Sequence, residues 1–366
     1  MLKRSFGVAA VTAAAALLLA ACSSGSDTAA SEDTAAGAAS GLACVILPDS
    51  ASSPRWENGD RPALKEALEA AGFTTDIQNA EGDTAKMLTI GDQMLASGCN
   101  VMIITDYQGA GAQVAAKSKA QGVPTIAYDR PIEGVDYYVS FDNVTVGTLQ
   151  GEGILKCLAD AGKDPKTAEL IFLDGDPTDG NAAMFAEGYD TALKAAGVEV
   201  DKAKLGAKRP DGSWDGAKAG TNFEQALTAN GGKVDAVVSA NDTNAASAIA
   251  ILDKNKLTVP VSGQDASKEG MSNVLSGKQC MTVFKDYLVE ASTAAELAIA
   301  ILKGETPTTN KQLADGTPFQ AADPQALYAD AASLEGFKAA LDRSGLTAAD
   351  VCTGDAAAKC TEIGLS

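Results

Sequence analysis

From Cys44 onward, short β-rich runs alternate with amphipathic helical runs, and the whole alternation is traversed twice. The first pass predicts strands over 44–47, 73–78, 101–105, 124–128 and 137–141. Between them lie helical patterns such as 61–71, with Leu64, Ala67, Leu68 and Ala71 on one stripe, and 84–96, with Met87, Ile90 and Met94. The second pass predicts strands over 170–173, 204–205, 236–239, 260–262 and 281–284, with helices including 182–196, 223–229, 245–252 and 287–302. Consecutive parallel strands need crossover helices, which cover both faces of the sheet they connect. Two passes of about five βα units exceed one comfortable open sheet. The expected fold is therefore α/β, with two doubly wound parallel-sheet lobes joined by a hinge.

Composition removes several functions. The chain has no His, which excludes Ser-His-Asp and Cys-His catalytic units and His-ligated metals. A formal net charge of -19 leaves no basic surface for phosphate neutralisation, so nucleic acid is not an expected partner. Asp174-x-Asp176-x-Thr178 hints at a calcium loop, but Asp179 breaks the spacing and position twelve is Phe185. No metal is expected. Nor is a cofactor, since the glycines lack the order of a dinucleotide or phosphate loop.

In open α/β sheets, ligand groups gather in the loops beyond the carboxyl ends of the strands. Here those loops hold Pro48 to Trp56, Asp129-Arg130, Asp174 to Asn181, Pro210 to Trp214, Asn241-Asp242, Gly263-Gln264-Asp265 and Lys285. Both tryptophans of the chain are among them. A pyranose is a ring of hydroxyls around two C–H faces, so its recognition needs carboxylates, guanidinium and carboxamide groups at the rim and indole faces above or below. These loops supply that mixture. The bland alternatives are that Arg55 and Lys285 are solvated charges and that Asn241 caps the helix after it, with Asp242 also assigned to that cap.

Five segments together carry a family resemblance: Ile126 to Arg130, Val139 to Asn143 with Val146-Gly147, Ala240 to Asp242, Ser262 to Asp265, and Thr282 to Lys285. From about residue 44 to about 305 the chain resembles the xylose-binding branch of the type I periplasmic sugar-binding proteins, which feed ATP-driven importers. The resemblance implies a clam-shell with crossings near Asp142-Asn143, near Lys285-Asp286 and in the segment following Gly304. It implies Arg55, Asp129, Arg130, Asn181, Asn241, Asp265 and Lys285 as hydrogen-bonding groups, with Asp179 in addition. Trp214 is the implied stacking face and Trp56 accompanies Arg55. The implied function is capture of a monosaccharide, D-xylose first, and delivery by a monomer to an ABC importer permease, with no catalysis. The alternatives are a sensing module for a kinase or chemoreceptor, and a glycoside hydrolase built on Asp129, Asp179 and Asp265.

The first 22 residues have Lys3 and Arg4, an apolar run from Val8 to Ala21, and then Cys22. That run is short for a membrane span and reads as an export signal. Leu19-Ala20-Ala21-Cys22 resembles a bacterial lipobox, which implies cleavage before Cys22 and a lipid on its sulfur that anchors the protein to the extracytoplasmic face of the membrane. The expected division is a signal over 1–21, a lipidated Cys22 with a flexible linker to 41, a first lobe of 42–142 plus 286–305, a second of 143–285 plus part of 306–340, and an extension over 341–366. Six cysteines remain, and export favours disulfides, although six allow fifteen pairings. Cys44 and Cys99 both open strands, and Cys352 and Cys360 are close in sequence. Cys157 and Cys280 are then left to each other or stay free and buried.

Overall fold

The computed structural model describes residues 41–53 and 55–365. The expected signal, Cys22 and the linker up to residue 40 lie outside the described residues.

Residues from both ends of the described chain build the first sheet. Its strands are β1 (Leu42–Leu47), β2 (Thr74–Asn79), β3 (Val101–Ile104), β4 (Thr125–Tyr128) and β5 (Tyr137–Phe141), and the spatial order is β2-β1-β3-β4-β5. All four of these pairings are parallel, in registers such as Ala43 opposite Val101 and Ile126 opposite Tyr137. The two-residue period of a strand sorts the core. Cys44, Ile46, Met102, Ile104 and Ala127 face one side, where helices α2 (Thr84–Ala96) and α3 (Ala110–Ala120) cover them. Val45, Leu47, Ile103, Ile126 and Val139 face the other, under α1 (Arg61–Ala70) and α10 (Tyr287–Leu302).

The second half repeats the scheme with β6 (Leu170–Leu173), β7 (Ala236–Ser239) and β8 (Thr282–Phe284). β6 and β7 pair in parallel, and single bridges from Val237 to Val261 and from Gln264 to Val283 carry the order on to β8. Helices α4 (Asn143–Asp160) and α5 (Gly180–Ala195) cover one face, while α7 (Gly216–Ala229) and α8 (Asp242–Lys254) cover the other. The strand expected at 204–205 is instead α6 (Lys202–Leu205), a single turn that starts because the Asp201 side chain accepts from the Ala203 N–H. Two residues, of which only Leu205 is apolar, are too short a signal to outweigh that cap.

Two crossings between the halves share one geometry. Asp142 and Asp286 have φ/ψ of -69°/89° and -73°/89°, and each caps the helix that follows, α4 and α10. The third crossing is not directly after Gly304. β9 (Lys311–Gln312) and β10 (Pro318–Ala322) extend the first sheet, with β10 parallel to β5. The chain then enters the second half as β11 (Gln325–Leu327), antiparallel to β8. The expected extension, described over 341–365, packs as part of a core. With α9 (Lys268–Leu275), the helices α11 (Leu334–Arg343), α12 (Ala348–Val351) and α13 (Ala356–Ile363) enclose a core of Met271, Leu327, Phe337, Leu341, Val351 and Ile363.

Three disulfides join Cys44 to Cys99, Cys157 to Cys280 and Cys352 to Cys360, with Cα separations of 6.0, 6.3 and 5.9 Å. Helices α4 and α5 meet along a glycine seam. A Cβ at Gly147 would collide with the Phe185 carbonyl, and one at Gly188 with the Val144 carbonyl. Close approach of the two backbones is the reason for glycine at both places, and it sets the position of the α5 N-terminus.

Candidate functional site

The first half contributes two strand-end groups. After β1 the chain enters one turn of π-helix, Trp56–Asp60, closed by a hydrogen bond from the Arg61 N–H to the Trp56 carbonyl. The wide turn brings Asp60 under Arg55, whose Nε and Nη2 each donate to the Asp60 carboxylate at 2.8 Å. The Arg55 guanidinium also lies 4.4 Å from the Trp56 ring centre. Trp56 belongs mostly to the core, with its indole N–H donating to Ser52 Oγ at 3.1 Å. After β4, Asp129 sits in the left-handed region at φ 62°, and its carbonyl is fixed by Tyr138 and Ser140 hydroxyls, each at 2.8 Å. Aspartate is among the few non-glycine residues that adopt this conformation, and the two hydroxyls fix it here. Arg130 follows and donates to the Asp106 carbonyl at 2.9 Å.

The second half faces these groups. Asp179 caps α5, accepts from the Trp214 indole at 3.1 Å, and forms an ion pair with Arg130 at 3.2 Å from its Nε. Asn181 and Phe185 stand one helical turn apart on α5, on the same face. Asn181 Nδ2 donates to the Asp129 carbonyl at 2.9 Å, while its Oδ1 accepts from Asn143 at 2.8 Å. Trp214 packs edge-on to Phe185 at 6.3 Å, over a glycine, Gly175, where a Cβ would strike the indole. Asn241 caps α8 through Oδ1, accepting from the Asn244 N–H at 2.9 Å, and its amide nitrogen is left for the cavity. Asp242 does not share that cap. It is the first residue of α8 and its carboxylate accepts from Ser267, Gln279 and Thr282, each at 2.8 Å; burial and the nearby Asp265 push it up to about 7. Asp265 is the second positive-φ residue of the site, at 104°. Each half thus presents one carboxylate from a constrained backbone.

Charges from the two halves interlock. Asp129 lies 3.2 Å from Arg55 and 3.8 Å from Lys285, and Lys285 lies 3.9 Å from Asp265. Burial opposes ionisation of Asp129, but Lys285, Arg55 and Arg130 outweigh it and hold the carboxyl below its usual range. For Arg55, burial is likewise outweighed, by Asp60, Glu290 and Asp129, and the guanidinium is held above its usual range. Burial pushes Asp179 and Asp265 upward, against the pull of Arg130 and of Lys285 respectively.

The structure brings Arg55, Trp56, Asp129, Arg130, Asp179, Asn181, Trp214, Asn241, Asp265 and Lys285 together around one cavity between the halves. Ser52, Ser53, Phe185 and Gln264 complete its wall. Phe185 was legible as the residue four positions after Asn181, and the other three stand in the strand-end loops beside residues already singled out. Gln264 Oε1 is buried and unpaired among the described residues, an acceptor awaiting a donor. Arg130, Asp179 and Trp214, joined by an ion pair and a hydrogen bond, line both this cavity and a wider outer cleft, so they form the wall between the two. Among the described residues no group of three or more Cys, Asp or Glu is arranged to hold a metal.

Two doubly wound halves, crossed by hinge segments and closed on a polar cavity, define the type I periplasmic binding protein fold. The model of the periplasmic binding protein domain matches residues 44–306, and the chain belongs to that family. It is 33% identical over 267 residues to the D-xylose-binding periplasmic protein of Escherichia coli K12, which covers 72% of this chain and 78% of that protein. It is 34% identical over 292 residues to the multiple sugar-binding periplasmic protein SbpA of Azospirillum brasilense, covering 74% and 80%. Among solved structures it is similar to an ABC transporter solute binding protein from Clostridium phytofermentans with bound β-D-glucose, with a TM-score of 0.72, 29% identity and coverage of 85% and 99%.

Proposed function

We propose that this protein captures one free aldopyranose, D-xylose first and D-glucose next, in the cavity between its halves and delivers it to an ABC import permease. The observation that carries the reading is the composition of the cavity wall: ionised and amide groups from both halves converge with Trp214 and Phe185 on a space sealed by the Arg130–Asp179 pair. Such a set matches a ring of hydroxyls. Because groups from both halves touch the ligand, binding favours the closed arrangement over an open one. The names of the relatives support both sugars. Asp129 lies against Arg55 and Lys285, which hold its carboxyl below the usual range, and that suits an acceptor of sugar hydroxyls rather than a proton-donating acid. Cys22, in its Leu-Ala-Ala-Cys setting, is the proposed lipid anchor at the extracytoplasmic membrane face.

The test is a thermal-shift panel of D-xylose, D-glucose, L-arabinose and D-galactose, since a ligand of the folded state alone raises the midpoint by mass action. A rise with xylose or glucose supports the reading. A panel without any shift refutes it.

A further inference from the structure

Behind the cavity wall lies a buried carboxyl that sugar capture, as described so far, does not use. Glu290 is on α10, four residues after the capping Asp286, and is fully buried. Its Oε2 accepts from Arg55 Nη2 at 2.5 Å, while Oε1 has no partner among the described residues. The donors of Arg55 can be counted. Nε and Nη2 give two hydrogen bonds to Asp60, Nη2 gives its other to Glu290, and Nη1 gives one to Asp129. Of the five N–H groups of a guanidinium, one on Nη1 remains for the cavity. Glu290 therefore holds the far edge of the side chain whose near edge faces the ligand.

The groups facing Glu290 are Arg55 and Asp60 from the π-turn, Tyr128 and Asp129 from the end of β4, Tyr138 from β5 and Lys285 from the second crossing, with Tyr287 on its own helix against Arg55. If Asp60, Glu290, Asp129 and Asp265 were all ionised, four carboxylates would share two cations, Arg55 and Lys285, because Arg130 is engaged by Asp179. A dry cluster does not sustain that excess of one sign. Burial pushes Glu290 up to about 8, with Arg55 and Lys285 working against the shift and Asp129 and Asp60 adding to it.

We propose that Glu290 is a positioning residue that couples sugar capture to the uptake of a proton. The inference rests on the monosaccharide reading above. As a neutral acid Glu290 fixes Arg55 without adding charge to the closed cluster. Opening the cleft parts the halves, wets the Arg55 edge and lets Glu290 ionise more readily. Because the acid is then weaker in the closed form than in the open one, affinity is full at low pH. It falls by up to about tenfold per pH unit between the open-form value and the closed-form value, then levels off.

The experiment is calorimetric titration of the whole protein with D-xylose and D-glucose at several pH values from 6 to 9, in phosphate and in Tris. A loss of about tenfold or more in affinity between pH 6 and 8, with a difference in heat between buffers that reports proton uptake, supports the proposal. So does loss of both effects in Glu290→Gln, which cannot ionise. Wild-type affinity that is flat with pH and equal heats in the two buffers overturn it, as does a Glu290→Gln variant that keeps the slope. If Glu290→Gln does not fold, the wild-type proton count decides alone. PH-independent binding sinks only this inference, whereas no binding of either sugar at pH 6 sinks the sugar reading and this inference with it.

Discussion

Asp129→Asn isolates one charge at the centre of the site. Asparagine tolerates the left-handed backbone at φ 62°, and the bonds from Asn181, Tyr138 and Ser140 go to the backbone carbonyl, so they survive the substitution. What is lost is the carboxylate between Arg55 and Lys285. Neither cation is stranded, since Arg55 keeps Asp60 and Glu290 and Lys285 keeps Asp265. Unfolding in urea should therefore shift little. A hydrogen bond to a charged group contributes about 1.5–3 kcal/mol and a neutral one about 0.5–1.5 kcal/mol, so the sugar loses about 1–2 kcal/mol of binding. That is roughly a 5- to 30-fold rise in Kd by calorimetry at pH 7. Asp129→Ala removes the bond altogether and adds a left-handed alanine, which costs stability by about 1–2 kcal/mol. An Asn variant that binds xylose and glucose within twofold of wild type would refute the assignment of Asp129 to the ligand.

Trp214→Ala removes the indole from over the ligand and frees Asp179 from one donor, and we expect at least a tenfold weaker Kd by calorimetry, about 1.4 kcal/mol. Gly147→Ala forces α4 and α5 apart, so unfolding free energy in urea should fall by about 1–3 kcal/mol and sugar affinity should drop with the displaced Asn181 and Phe185. The depressed carboxyl of Asp129 gives an acid limit: its contribution to closure is present above the ordinary carboxylate range and is lost as pH falls through its lowered value, read as loss of affinity at the acid end of a pH series. Arg343→Ala breaks a partly exposed pair with the hinge residue Asp286, at 3.0 and 3.1 Å, and should change Kd less than about fivefold, with the difference vanishing in high salt.

Much of this arrangement is legible in the chain because it depends on near neighbours. Once 44–47 is read as a strand, its two-residue period already separates Val45 and Leu47 from Cys44 and Ile46, and the structure puts these pairs on opposite faces of β1. Aspartate or asparagine at 83, 179, 241 and 286 caps the helices expected nearby. Strand-end position alone points to Asp129, Asn241 and Asp265. Where local signals compete, the reading fails: a two-residue stretch at 204–205 with one apolar side chain loses to the Asp201 cap, and two of the three donors to Asp242 lie beyond residue 275. The third crossing escapes too, because β10 is chosen by pairing with β5, far upstream in the chain.

Sequence alone determined that the chain makes two parallel-sheet halves and which polar side chains stand at their strand ends, because helix and strand periods and caps act within a few residues. Tertiary structure alone decided what those side chains do to one another. Arg55 meets Asp129 across 74 positions of chain because β1 and β4 share one sheet, and it meets Glu290 across 235 once α10 folds back against that sheet. The protonation of Glu290 is decided at the same level, since it follows from the loss of water and from the charges that packing brings within reach.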